Sequence, residues 1–253
     1  MSVKIENSPP AEIPDEQAEH FQRAAPAFPV YASILISCLV LVSVFQFLAD
    51  GKDSILFGGE TSVLLAGFVK PAFLSGEYWR ILTGFVLHAG LIHLLFNCYA
   101  LYVLGRLMET LSNRAHLAII FLLAALSGNV LSLIFLPDGT SVGASGGVVG
   151  FLGYLTVYGY RRRSLLSPGF LKNMLFNVGL LAFYGLALYN KIDNFGHLGG
   201  LLAGALYGFF QIPSDVYQDP RTIDGKTEIA GLIALAVTIT ISIFSILILL
   251  RIV

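Results

Sequence analysis

Seven apolar runs constrain this chain more than any other feature of its sequence. They cover residues 31–49, 92–110, 116–136, 142–160, 170–188, 195–212 and 228–250. Each is close to the roughly 20 residues that an α-helix needs to cross the hydrocarbon core of a bilayer. The fourth and sixth runs contain many glycines, which lowers their hydropathy. We therefore predict an all-α polytopic membrane protein with seven spans, two of which are weak by hydropathy alone.

The overall composition agrees with a membrane protein. Hydrophobic residues make up 56% of the chain and charged residues only 12%, whereas a soluble surface needs roughly a quarter charged residues. The net charge of -1 gives no electrostatic reason to expect nucleic acid as a partner. Cys38 and Cys98 lie inside apolar runs, where cysteine behaves as a small hydrophobe, so neither a disulfide framework nor a metal site is implied.

The runs divide the chain into four parts. Residues 1–29 are polar and contain prolines, and we predict a poorly ordered cytoplasmic tail, not a signal peptide, because a basic leading segment is missing. Residues 30–212 hold six spans. Residues 213–227 form a cytoplasmic connection, and residues 228–253 form the seventh transmembrane helix.

The segment between the first two spans, residues 50–91, is too long for a turn and too apolar for a solvated loop. We expect it to lie on the outer membrane face as short interfacial helices, interrupted at Lys70-Pro71. Trp79 beside Arg80 is a pairing favoured at the level of the lipid headgroups.

Arginines indicate the orientation. Arg161, Arg162 and Arg163 follow the fourth span, and Arg106 and Arg114 flank the end of the second. The positive-inside rule places these positions in the cytoplasm. The N-terminus is then cytoplasmic, and we expect a multi-pass protein of a bacterial inner membrane.

Four polar residues are predicted to converge at one depth. His93 and Asn97 open the second span, Ser145 opens the fourth, and His197 opens the sixth. These three spans run in the same direction, so their first turns share the outer face. His93 and Asn97 are four residues apart and lie on one helix face. They could donate hydrogen bonds to an oxyanion, or only tie helices together.

Ser145 lies in GASGG, residues 143–147. Serine among glycines is a common packing surface in membrane helices, so this motif alone favours a packing role over a nucleophilic one. The sixth span carries a ridge of Gly196, Gly200, Gly204 and Gly208, and the fourth carries Gly146 and Gly150. These two spans can therefore approach until the serine hydroxyl meets the ring of His197, which could take its proton.

Asp193 lies four residues before His197 and could orient it as a triad acid. Capping of the helix start suits Asp193 better, and a Ser-His dyad is the preferred interpretation. No HExxH motif is present, and the spacing of His88 and His93 suits shared metal ligation poorly. His116 and His20 are predicted to be surface residues.

Together these motifs resemble the rhomboid intramembrane serine proteases. The resemblance rests, in order, on Trp79-Arg80, HLLFN at 93–97, Gly105 with Glu109, GASG at 143–146 and GHLGGLLAG at 196–204. It implies that Ser145 is the nucleophile and His197 the general base, with an oxyanion hole formed by His93, Asn97 and the backbone amide of Ser145. It further implies a six-helix rhomboid-like core with one added C-terminal transmembrane helix and neither metal nor cofactor.

The resemblance also implies single-span membrane proteins as substrates. Their helices would enter sideways from the lipid bilayer and be cleaved near the outer face. The fifth span is a candidate for the gate, through Phe176, Phe183 and Tyr184.

One position departs from the family pattern. Rhomboids commonly carry an aromatic residue four positions after the serine, stacked on the histidine, and this chain has Val149. Phe151 or Tyr154 could supply the ring instead. The alternative function is a catalytically impaired rhomboid-like protein that binds or escorts membrane proteins. A transporter is a third possibility, although no inverted repeat is evident.

Overall fold

The computed structural model describes residues 28–253. The predicted tail lies outside the described residues except for its last two positions, and so does His20. In chain order the helices are α1 (Val30–Asp50), α2 (Glu60–Ala66), α3 (Lys70–Leu74), α4 (Arg80–Thr83), α5 (Gly90–Leu111), α6 (Arg114–Phe135), α7 (Ser145–Arg161), α8 (Pro168–Ala187), α9 (Asn194–Gln211) and α10 (Gly225–Leu249). Two short strands, β1 (Phe68–Val69) and β2 (Thr140–Ser141), complete the fold.

Each predicted run corresponds to one long helix, which confirms the all-α polytopic fold. Five of these helices, α1, α5, α6, α8 and α10, are long and apolar enough to cross a membrane. The glycine-rich α7 and α9 fall outside that group, as their composition predicted. Their place in the fold comes from packing instead.

Helix α7 lies at the centre of the bundle. It packs against α5, α6, α8 and α9, and most of its residues are buried. Helix α8 contacts mainly α7, and only Met174 and Gly185 of α8 are buried. Helix α10 packs on α6 and α1. The result is a six-helix core with one additional helix outside it.

Glycines bring α7 and α9 together. A Cβ built on Gly204 would collide with the carbonyl oxygen of Gly150, and one on Gly200 with that of Gly146. The predicted close approach of these two spans is therefore confirmed. Helix α9 also approaches α6 closely, since a Cβ on Gly199, outside the ridge, would lie 2.6 Å from the Ser127 carbonyl oxygen.

The segment between α1 and α5 does contain short helices, as predicted. Its strand β1 pairs antiparallel with β2, with Phe68 opposite Ser141 and Val69 opposite Thr140. This pairing was not predicted, because a two-residue strand has no recognisable periodicity. The pairing attaches the loop before α7 to the long segment between α1 and α5.

Arg80 packs against Trp79 and is enclosed by the protein, and its level relative to the lipid headgroups stays a prediction. Arg80 is only 6% exposed, and its guanidinium donates to the carbonyl oxygens of Gly67 and Leu64 at 2.9 Å each. It also pairs with Glu77 at 2.7 Å, and its guanidinium carbon lies 4.6 Å from the centroid of the Trp79 ring. Arg80 thus ties the interfacial segment together from within, because free carbonyls at the end of α2 need donors.

The surface assignment of His116 is wrong. His116 is 3% exposed, its Nδ1 lies 2.7 Å from the hydroxyl of Tyr207, and its Nε2 lies 3.0 Å from the side-chain nitrogen of Gln211. Partners about 90 residues away in sequence satisfy the ring inside the bundle. The sequence position of His116 at the boundary of a span does not indicate these partners.

Candidate active site

Ser145 is the first residue of α7, and a glycine turn presents it. Gly143 has φ +127°, a conformation that side chains rarely adopt. A Cβ at Gly143 would lie 2.6 Å from Cε1 of His93, so the turn also needs glycine because the His93 ring packs directly on it. The sharp turn thus fixes both the hydroxyl of Ser145 and the approach of His93.

His197 lies in the first turn of α9 and meets Ser145. Its Nε2 is 2.8 Å from Oγ of Ser145, although the two residues are 52 positions apart in sequence. The glycine contacts between α7 and α9 allow this distance, since any larger residue there would push the helices apart. The structure therefore brings together the two residues that the sequence proposed as a dyad. Such a pair can transfer a proton from hydroxyl to imidazole.

His93 faces the same turn. Its Nδ1 accepts a hydrogen bond of 3.3 Å from the backbone N–H of Ala89, which leaves the ring proton on Nε2. A Cβ at Gly143 would lie 2.9 Å from that Nε2. The ring thus presents a hydrogen-bond donor to the loop that carries Ser145.

Asn97 lies one helical turn farther along α5, on the same face as His93. It is 5% exposed, and its amide donates to the carbonyl oxygen of His93 at 3.1 Å. An amide group has two N–H donors, so one remains after this bond. The structure places Asn97 beside His93 but records no direct contact between Asn97 and Ser145 or His197.

His88 packs behind His93, with ring centroids 5.2 Å apart and planes at 70°. It precedes α5 and is 1% exposed. Burial, together with the neighbouring His93, lowers the pKa of His88 to about 3. A neutral His88 therefore supports His93, a contact that the sequence did not reveal.

Asp193 caps α9, as predicted. Its carboxylate accepts from the backbone N–H of Gly196 at 2.8 Å and also from the hydroxyls of Ser132 and Ser141. The Nδ1 of His197 is buried and has no hydrogen-bond partner among residues 28–253. Asp193 is thus not bonded to the histidine ring as a triad acid would be. No sequence pattern links the two serines to Asp193.

The aromatic residues considered as replacements at Val149 lie elsewhere. Phe151 packs on Phe121 in the core, with centroids 6.2 Å apart. The hydroxyl of Tyr154 donates to Ser112 at 2.7 Å. Within the described part of the chain, no aromatic ring stacks on His197.

A small pocket of about 20 Å³ holds Ser145 and His197, which is room for about one water molecule. Apolar residues of α8 and α9 line a cavity of about 310 Å³ on one side of His197. Asp193 also lines a second cavity of about 420 Å³, whose walls include both polar and apolar residues. In residues 28–253, no cluster of three or more His, Cys, Asp or Glu side chains is arranged to hold a metal ion.

Comparisons with known proteins place this arrangement in context. Residues 75–214 match the protein family described as the Rhomboid domain. The matched segment contains His93, Asn97, Ser145 and His197.

Three curated proteins illustrate the range of relatives that this chain resembles. Rhomboid protease GluP of Bacillus subtilis (strain 168) is 31% identical over 189 residues, which cover 74% of this chain and 35% of GluP. RHOMBOID-like protein 6, mitochondrial, of Arabidopsis thaliana is 34% identical over 55% of this chain and 46% of that protein. Rhomboid-like protease 3 of Toxoplasma gondii is 35% identical over 57% of this chain and 56% of that protein. The matched part of this chain thus spans about a third to just over half of the length of these relatives.

Proposed function

This chain belongs to the rhomboid family, and we propose that it is an intramembrane serine endopeptidase. In this proposal, a Ser145–His197 dyad hydrolyses peptide bonds of transmembrane substrate helices near the outer face. The observation that carries it is the 2.8 Å distance between Nε2 of His197 and Oγ of Ser145. A hydroxyl and an imidazole in a water-poor pocket have the arrangement that serine needs to act as a nucleophile.

The reaction starts when Oγ of Ser145 attacks the carbonyl carbon of the scissile bond. Nε2 of His197 takes the hydroxyl proton and later delivers it to the leaving amine. A water molecule then attacks the acyl-enzyme, again with His197 as base, and Ser145 is released. No acid bonded to Nδ1 is required in this scheme, since the proton passes only between Nε2 and the reacting groups.

Negative charge develops on the carbonyl oxygen during both attacks. Three donors are proposed to stabilise it: the Nε2–H of His93, the amide of Asn97 and the backbone N–H of Ser145. Ser145 is the first residue of α7, so its N–H has no acceptor within the helix. His93 is held against Gly143, two residues before the nucleophile. Fixed donors in a site of low dielectric constant are commonly the largest single contribution to such catalysis.

The substrates in this proposal are single-span membrane proteins. A peptide bond within a helix is protected by its own hydrogen bonds, so the substrate must unwind before attack. Helix α8 is the candidate gate, because it packs mainly on α7 and leaves Phe176 and Phe183 67% and 63% exposed. An exposed, loosely packed helix can move aside at little cost in free energy.

The protein is an integral, multi-pass membrane protein. We further propose that it lies in a bacterial inner membrane with its N-terminus in the cytoplasm. Residues 1–29 then form a cytoplasmic tail, residues 30–212 the catalytic core with the outer loop 50–91, residues 213–227 a cytoplasmic connection and residues 228–253 the seventh span.

A second candidate function is a catalytically impaired rhomboid-like protein that binds or escorts membrane proteins. Val149 favours this alternative, because His197 lacks a stacked ring within the described residues. Retention of the short contact between Ser145 and His197 favours the protease.

Cleavage of a co-expressed single-span reporter in membranes tests the proposal. The parent is compared with Ser145→Ala and His197→Ala at equal protein levels, and Ser75→Ala, an exposed serine of the interfacial segment, serves as the control. We expect cleavage by the parent and the control and none by the two dyad variants. Absence of cleavage by the parent over several helix-destabilised reporters would favour the escort function.

A further inference from the structure

A buried lysine lies beside the dyad pocket without taking part in it. Lys70 begins α3 directly after β1 and is 1% exposed. Its backbone N–H donates to the carbonyl oxygen of Gly139 at 3.2 Å, next to the pairing of β1 with β2. Burial of an ammonium group is costly unless the group is paired. A lysine held in this position therefore calls for a partner.

The ammonium of Lys70 has no such partner in the described part of the chain. The ion pairs shorter than 4 Å there involve arginines, and none involves Lys70. Nζ of Lys70 lies 5.9 Å from the centroid of the Phe68 ring. A Cβ on Gly139 would lie 3.4 Å from the same Nζ. Burial lowers the pKa of Lys70, while the charge of Asp193 raises it. Asp193 itself lies beyond ion-pair distance, and backbone and hydroxyl donors already bind its carboxylate.

Lys70 lines the cavity of about 420 Å³ that Asp193 also lines, a cavity with both polar and apolar walls. Lys191 and Asp138, both exposed, also line it. Ser141 and Asp193 belong both to this cavity and to the pocket that holds the dyad. The cavity and the dyad pocket therefore adjoin at these two residues. A peptide extended across Ser145 advances roughly 3.3 Å per residue, so a side chain within a few positions of the scissile bond reaches the cavity.

We infer that Lys70 forms a subsite for a carboxylate side chain of the substrate, an aspartate or glutamate in the unwound segment next to the scissile bond. This inference rests on the proposed protease function and names the side chain that its substrate should carry. A carboxylate supplies the charge and the hydrogen-bond acceptors that the ammonium lacks, and charge-assisted bonds are roughly twice as strong as neutral ones. An amide of the same shape would offer only a neutral acceptor.

The test compares pairs of reporters that differ only by aspartate or asparagine, placed in turn at each of the positions flanking the scissile bond. For the parent, we expect one position where the aspartate reporter is cleaved about tenfold faster than its asparagine partner, because hydrogen bonds to charged groups are the stronger ones. Lys70→Met should abolish that ratio. Lys191→Met, at the exposed rim of the same cavity, is the matched control and should keep it.

A charge exchange adds a second test. Lys70→Glu should prefer a lysine reporter over the aspartate reporter at the same position. Equal cleavage of aspartate and asparagine reporters by the parent at every position would overturn the subsite, and this result needs no variant to fold. A Lys70→Met variant that slows both reporters equally would also overturn it, because the lysine would then only support the loop. Cleavage of the asparagine reporters reports separately on the proposed function, whose failure would remove the subsite as well.

Discussion

A Cβ atom on residue 200 would collide with the carbonyl oxygen of Gly146, so Gly200 and Gly146 pack backbone against backbone. This contact lies one turn or less from both Ser145 and His197. The rotation and spacing of α7 and α9 at this point set the distance between the hydroxyl and the imidazole. Packing and chemistry therefore depend on the same pair of glycines.

Gly200→Ala should separate the two helices. Overpacking of a tight contact costs about 1–3 kcal/mol of stability, and misplacement of reacting groups by about 1 Å can cost on the order of a hundredfold in rate. We expect a lower free energy of unfolding in mild detergent and a large loss of reporter cleavage. Gly179→Ala is the control, because a Cβ on Gly179 meets nothing within 4 Å. Equal behaviour of the two variants would refute the packing account.

Asn97→Ala tests the proposed oxyanion hole. Loss of one donor should reduce turnover by roughly 10- to 1,000-fold, with little effect on the Michaelis constant, since the charge develops only in the transition state. Asn177→Ala is a matched control: Asn177 also donates to the carbonyl four residues earlier, at 2.9 Å, but is exposed on α8. If Asn97→Ala and Asn177→Ala turn over equally fast, Asn97 has no part in the mechanism.

Stability should fall in acid because of His88. Its pKa is about 3 in the folded protein, against a usual value of 6.5, so the unfolded state binds the proton more readily. The stabilisation from neutral His88 is present above pH 6.5 and is lost as the pH falls from 6.5 towards 3. Between pH 7 and pH 5, this group should remove about 2 kcal/mol.

Denaturant unfolding in detergent at both pH values measures this effect. His88→Asn is expected to be less stable than the parent at pH 7 but to lose less stability on acidification. Identical pH slopes for parent and variant would show that His88 is not the acid-sensitive group.

The double change Phe176→Ala with Phe183→Ala probes the gate. Both rings are exposed on α8, and their removal should ease the sideways passage of a substrate helix. We expect faster cleavage of the reporter, with no change in the labelling of Ser145 by a small reagent that needs no gate. An unchanged cleavage rate would rule out α8 aromatics as the gate.

Much of the fold could be predicted from the sequence, because hydropathy and glycine spacing are local signals. The positions of the seven long helices followed from apolar runs, and the contact of α7 with α9 followed from glycines four residues apart. Glycine also explains why the two helices that carry Ser145 and His197 are weak by hydropathy. The same residues that permit the contact lower the apolar content.

Contacts between distant segments could not be predicted in this way. The serines that bind Asp193, the partners of Arg80 and the burial of His116 all depend on tertiary packing. Lys70 illustrates the limit most clearly, because it looked like a break between interfacial helices. Only its burial beside the cavity points to a role in substrate binding.

Labelling with a fluorophosphonate followed by peptide mapping most directly tests whether His197 activates Ser145. The reagent forms a covalent bond only with an activated serine hydroxyl. The parent should carry the label on Ser145, and His197→Ala should lose it while remaining folded in detergent. Undiminished labelling of Ser145 in His197→Ala, or a parent that is not labelled there at all, would contradict the dyad.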